Sequence, residues 1–66
     1  MTEPEAILQF FVFDHLPAHL AAVSRPFCEL AANIATELPR NPERTVALRK
    51  LLESKDAAVR AFLYRQ

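Results

Sequence analysis

The stretch Leu38-Pro39-Arg40-Asn41-Pro42-Glu43 decides how this chain folds. Pro39 disfavours a helical backbone at Leu38, so a helix arriving from upstream ends there. Asn41 followed by Pro42 is an N-cap residue with proline at the first helical position, where a missing N–H is harmless. Glu43 then sits at the favourable end of the new helix dipole. A turn this short between two helical patterns sends the chain back along itself.

Upstream of the turn, Leu16, Leu20, Val23, Phe27, Leu30 and Ile34 recur at alternating spacings of four and three. That is an apolar stripe on one face of a helix. Alanines fill much of the rest, at 18, 21, 22, 31, 32 and 35. They favour helix and let a partner helix approach closely. Asp14 is the expected N-cap, with Pro17 inside the first turn, which gives a helix over 14–38. Pro26 removes the hydrogen bond to the Ala22 carbonyl and predicts a kink near residues 22–26. Ser24 offers a cap for a fresh start there. The stripe keeps phase across Pro26, which favours one kinked helix over two.

Downstream, Thr45, Leu48, Leu52, Lys55, Val59 and Phe62 continue the same rhythm, in a helix expected over 41–65. Lys55 is the intruder in that stripe. It snorkels outward, or the phase drifts through Leu51 and Ala58; the alternative is a basic group facing a subunit interface or ligand cleft. Residues 1–13 form an apolar lead. Thr2 and Glu5 have capping-box spacing and Pro4 suits a first turn, favouring a short helix over about residues 3–10. The run Phe10-Phe11-Val12-Phe13 suits a strand by propensity, but a lone strand has no partner. The expectation is a short helix running into an extended segment, packed on the hairpin or on a neighbouring subunit.

The fold class is therefore all-α: one domain, an antiparallel helical hairpin with a short N-terminal helix or extended lead. At 66 residues the chain is too short to build a self-sufficient core easily without staples, metals or partners. A single cysteine, Cys28, leaves no internal disulfide, so homo-oligomerisation is the expected remedy.

Composition excludes several functions. Hydrophobic residues make up 52% of the chain and charged residues 24%, which suits a folded domain rather than a disordered one. Glycine is absent, which rules out Gly-rich phosphate loops and dinucleotide fingerprints. No apolar run reaches the ~20 residues of a membrane span. Glu3 and Glu5 stand where a signal peptide would be positive. A cytoplasmic protein with no membrane contact is expected.

Eight basic residues balance eight acidic ones, but unevenly along the chain. Residues 1–37 hold Glu3, Glu5, Asp14, Glu29 and Glu37 against Arg25 alone. Residues 38–66 hold Arg40, Arg44, Arg49, Lys50, Lys55, Arg60 and Arg65 against Glu43, Glu53 and Asp56. Complementary helix pairing and a solvated face account for this asymmetry. A basic surface on the second helix that meets phosphate is the functional alternative. The acidic half argues against an extended nucleic-acid footprint.

Catalytic and metal chemistry find little here. His15 and His19 stand four apart beside Asp14, yet no third metal ligand is evident. Cys28 sits among Phe27, Leu30 and Ala31 as a small hydrophobe, without a base to make a thiolate. Neither a cofactor, a metal nor an enzymatic activity is expected. Arg25 is more suggestive, as the one base in the acidic half. Its bland role is an exposed pair with Glu29, worth only about 0–1 kcal/mol. Such a weak structural return leaves room for anion recognition.

A resemblance sharpens the functional reading. The run Phe11-Val12-Phe13-Asp14-His15-Leu16-Pro17 resembles the aromatic–His–Pro lead-in of the phage anti-CBASS/anti-Thoeris hairpin domain. Arg25, then Leu30-Ala31 and Ile34, resembles its Arg-x4-Leu-Ala-x2-Ile helix. Pro42-Glu43-Arg44-Thr45 and Ala47-Leu48-Arg49-Lys50-Leu51 resemble the start of its second helix. The resemblance covers about residues 11–61. It implies a non-enzymatic sponge in the host bacterial cytoplasm. Such a sponge sequesters cyclic di- or trinucleotide immune signals at subunit interfaces, in hexamers of helical hairpins. By that resemblance Phe13 stacks on a base, His15 lies beside it and Arg25 faces a phosphate. Arg60 and Arg65 lie near the part of the hairpin that holds larger cyclic ligands. The alternative from another class is a small helical-bundle dimer of two hairpins, a protein- or RNA-binding accessory using the basic face of the second helix.

Overall fold

The computed structural model describes residues 6–65. The expected capping box of Thr2 and Glu5, and Pro4 with it, lie outside them. A 3-10 lead, Ala6–Phe11, is followed by helix α1, Ala18–Glu37, and helix α2, Pro42–Leu63. Among the described residues there is no strand, and no helix is long and apolar enough to cross a membrane. The two long helices pack side by side as an antiparallel hairpin, and the lead lies against both.

The turn forms as its sequence dictates. Leu38 is extended, with φ −105° and ψ 143°, as a residue before proline prefers. Its N–H still donates to the Ile34 carbonyl at 3.1 Å, closing α1. The Asn41 side chain accepts from the Arg44 N–H at 2.9 Å. The Asn41 carbonyl takes the Thr45 N–H at 3.2 Å and the Thr45 hydroxyl at 3.3 Å. The cap, the proline after it and the acid in the first turn all fall where the sequence puts them.

The start of α1 differs from expectation. Asp14 does not cap it, and the helix begins only at Ala18, with Pro17 as N-cap and no side-chain cap bond. Pro17 restricts Leu16 to extended backbone, so residues 13–16 cannot join the helix. They close a turn in which the Leu16 N–H donates to the Phe13 carbonyl at 3.0 Å. The Pro17 carbonyl then accepts from Leu20 and Ala21. Through Pro26, α1 remains one element, and Ser24 caps no second start.

The core is small. Phe11, Ala31, Leu48 and Leu52 are buried, with Ile7, Leu8, Phe27, Cys28, Ile34 and Leu51 packed around them. Phe11 fastens the lead onto the hairpin. The stripe on α1 turns by one residue from its expected centre: Ala31 is buried and Leu30 is exposed. The contact face of α1 runs through Ser24, Phe27, Ala31 and Ile34, at spacings of three, four and three, and Leu30 lies one step of about 100° from Ala31. The small Ala31 side chain lets Phe11 and Leu48 come close. On α2, Arg44 takes the buried place expected of Thr45, and Lys55 stays in the stripe. The Lys55 side chain is 16% exposed, and its ammonium reaches Asp56 at 2.9 Å, so it snorkels.

Two buried polar groups contrast. Arg44 is 6% exposed, and its Nη1 donates to the Leu38 carbonyl at 2.8 Å. Ser24 is 1% exposed, and its hydroxyl has no hydrogen-bond partner among the described residues. Removing a charged donor that satisfies a helix end is expected to cost about 2 kcal/mol. Thermal unfolding of Arg44→Ala, followed by circular dichroism, should show a midpoint lower by roughly 8–16 °C. Ser24→Ala removes an unpaired buried hydroxyl and improves helix propensity, so its midpoint should stay level or rise by a few degrees. A clear drop for Ser24→Ala would show that the hydroxyl has a stabilising partner.

Candidate functional site

An antiparallel hairpin has one closed end, at the turn, and one open end. The ring of His19, in the first turn of α1, lies 5.7 Å from that of Phe62, in the last turn of α2, at a 32° tilt. This contact aligns the two helix ends. Phe13 and His15, just before α1, and Arg60 and Arg65, at the end of α2, therefore share the open end. Phe13 is half-buried, and the other three are exposed. No hydrogen bond or ion pair links these four side chains among the described residues.

Arg25 is set apart from them. It lies seven residues into α1, about 10 Å along the axis from Ala18. Its Nε meets Glu29 Oε2 at 3.5 Å, and both side chains are well exposed. The bland pairing foreseen in the sequence thus forms, with the guanidinium on the outer surface. So exposed a pair holds Arg25 weakly, and a stronger anion can displace Glu29.

His15 and His19 do not share a helix face, because His15 belongs to the turn before α1. No group of three His, Cys, Asp or Glu side chains suited to a metal ion occurs among the described residues. Cys28 packs half-buried against the core.

The basic surface of α2 is thinner than the residue count suggests. Arg44 is turned inward to the Leu38 carbonyl, and Lys55 is drawn to Asp56. Lys50 pairs with Glu53 at 3.6 Å. Between Arg49 and Arg60, Glu53 and Asp56 fall on the same side of the helix at spacings of four, three and four. That side is a mixture of charges rather than a basic stripe.

The structure also brings forward residues that the sequence did not single out. Phe62 reads as core from its stripe position, yet it is 56% exposed. Leu63 and Tyr64 follow it, 51% and 74% exposed. The signal was present in hairpin arithmetic. Counting back from the turn at equal steps, Phe62 falls opposite Pro17, beyond the start of α1. The apolar stripe of α2 thus outruns the surface that α1 offers it. No protein-family model, curated protein or solved structure matches this chain.

Proposed function

We propose that the protein is a non-enzymatic binding module that works as a homo-oligomer. Its ligand is a cyclic di- or trinucleotide or a related nucleotide signal, which it sequesters rather than converts. The reading that fits the resemblance is a phage anti-defence sponge in the host bacterial cytoplasm. The observation that supports it best is the shared open end, where the Phe13 ring and the Arg60 and Arg65 guanidiniums stand at one end of the hairpin. A nucleotide needs both kinds of group. An aromatic face stacks on a base for about 1–3 kcal/mol, and a guanidinium fork matches phosphate oxygens. His15 adds a polar ring beside Phe13. Arg25 enters as a second phosphate contact from a neighbouring copy once Glu29 yields. Self-association also fits the core: among the described residues, four hydrophobic side chains are buried while eight large ones stay exposed.

The rival reading, a helical-bundle dimer serving as a protein- or RNA-binding accessory, draws on exposed Leu30 at mid-helix. Its RNA version has less support, because acids interrupt the basic side of α2.

Native mass spectra of the protein with cyclic di- and trinucleotides and cyclic ADP-ribose isomers test the proposal. Uptake of one class in fixed stoichiometry by an oligomer is the expected result. Phe13→Ala and Arg25→Ala should each weaken that uptake about tenfold or more. Wild-type affinity in both variants would sink the site assignment. A dimer that takes up no member of the panel would sink the sponge.

A further inference from the structure

We propose that two copies of this chain meet through their open ends across a two-fold axis, burying Phe62, Leu63 and Tyr64, with Asp14 of each copy facing Arg60 and Arg65 of the other. The inference rests on the reading that the protein assembles with itself, and adds where the copies meet.

The apolar part comes from the stripe of α2. Leu48 and Leu52 are buried, Val59 is half-buried, and Phe62 on the same side is open. Burial fades because α1 has begun too late to cover the last turn, and His19 is the ring that reaches Phe62. With Leu63 and Tyr64 the run makes three consecutive exposed hydrophobic side chains at the end of a helix. The exposed Leu30, Leu38 and Val46 stand singly and need no explanation.

The charges say what covers this end. A two-fold interface is built from one patch meeting itself, so the charges it carries are matched only if the patch holds both signs. Asp14 lies in the turn before α1, and Arg60 and Arg65 lie at the end of α2, so acid and base share the open end. All three are exposed, and among the described residues none of them forms an ion pair. A second copy turned through 180° brings each acid to the other copy's bases. A purely acidic or purely basic partner would leave one sign facing its like, which is strongly disfavoured.

Charge exchange tests this with full-length protein. Asp14→Arg is one variant, and Arg60→Asp with Arg65→Asp is the other. All three positions are exposed, and unchanged helical circular dichroism checks the fold. Sedimentation and native mass spectra should show each variant alone self-associating roughly a hundredfold more weakly than wild type. Mixed together, the two variants should form a one-to-one assembly, because every facing pair is then again opposite in sign. Weakening without rescue in the mixture would overturn the facing of Asp14 and the arginines. Self-association at wild-type strength in both variants would overturn the open-end interface and leave the oligomer reading standing. A wild-type protein that stays monomeric at every concentration would overturn both. Ligand uptake is not the readout, so failure of the nucleotide proposal leaves this result interpretable.

Discussion

The hydrogen bond from the Arg44 guanidinium to the Leu38 carbonyl joins the two halves of the chain at their most constrained point. It does three things at once. It gives Leu38, the C-cap of the first helix, a partner for a carbonyl that would otherwise face the turn unsatisfied. It puts a positive charge at the negative end of the α1 dipole. It also draws the first turn of α2 inward, so that Arg44, Leu48 and Leu52 form one buried line. Arg44 can reach that carbonyl because the Asn41 side chain has already fixed its backbone N–H. The hairpin angle thus follows from a local cap and one long side chain.

Beyond this closed end the packing changes along the hairpin. The middle holds the core, where the lead contributes Phe11 and the small Ala31 allows close approach. Ser24 is also buried, with a hydroxyl that has no hydrogen-bond partner among the described residues, a local conflict between residue type and place. Toward the open end there is no side-chain cap on α1, and the last turn of α2 is covered mainly by one imidazole ring. The middle holds the buried hydrophobic side chains, while Phe62, Leu63 and Tyr64 at the open end are exposed. Segments with few buried contacts are the ones that open first.

Much of the architecture was legible in the sequence because it rests on local rules. Asn41-Pro42-Glu43 specifies a helix start by its own chemistry, and the structure obeys it. The apolar stripes define two helices by period alone. What local rules could not supply was competition between neighbours. Asp14 is a good capping residue, but the constraint that Pro17 places on Leu16 overrides it. Arg44 looks like surface charge until the Leu38 carbonyl is brought within its reach. Leu30 belongs to the heptad stripe, but the contact face passes through Ala31 beside it. For the candidate site, the sequence placed Phe13, His15, Arg60 and Arg65 far apart along the chain, and the fold brings them to one end. Arg25 did not join them, because its place on the outer side of α1 is set by the phase of the core face.

The contrast between the two ends bears on where a small hairpin can carry a function. A closed end that spends its polar groups on itself has few left to offer a ligand: Asn41, Thr45 and Arg44 are all engaged in the turn. The open end has the reverse arrangement. Among the described residues, Asp14, Arg60 and Arg65 there are exposed and form no ion pair, and Phe62, Leu63 and Tyr64 are exposed. In a chain this short, the apolar surface left there is also a large part of what remains to stabilise the fold by burial. In the assembly proposed above, binding a second copy and burying this surface would be the same event at the same place. On that proposal, a molecule settling on the open end gains affinity from the hydrophobic surface that Phe62, Leu63 and Tyr64 leave exposed.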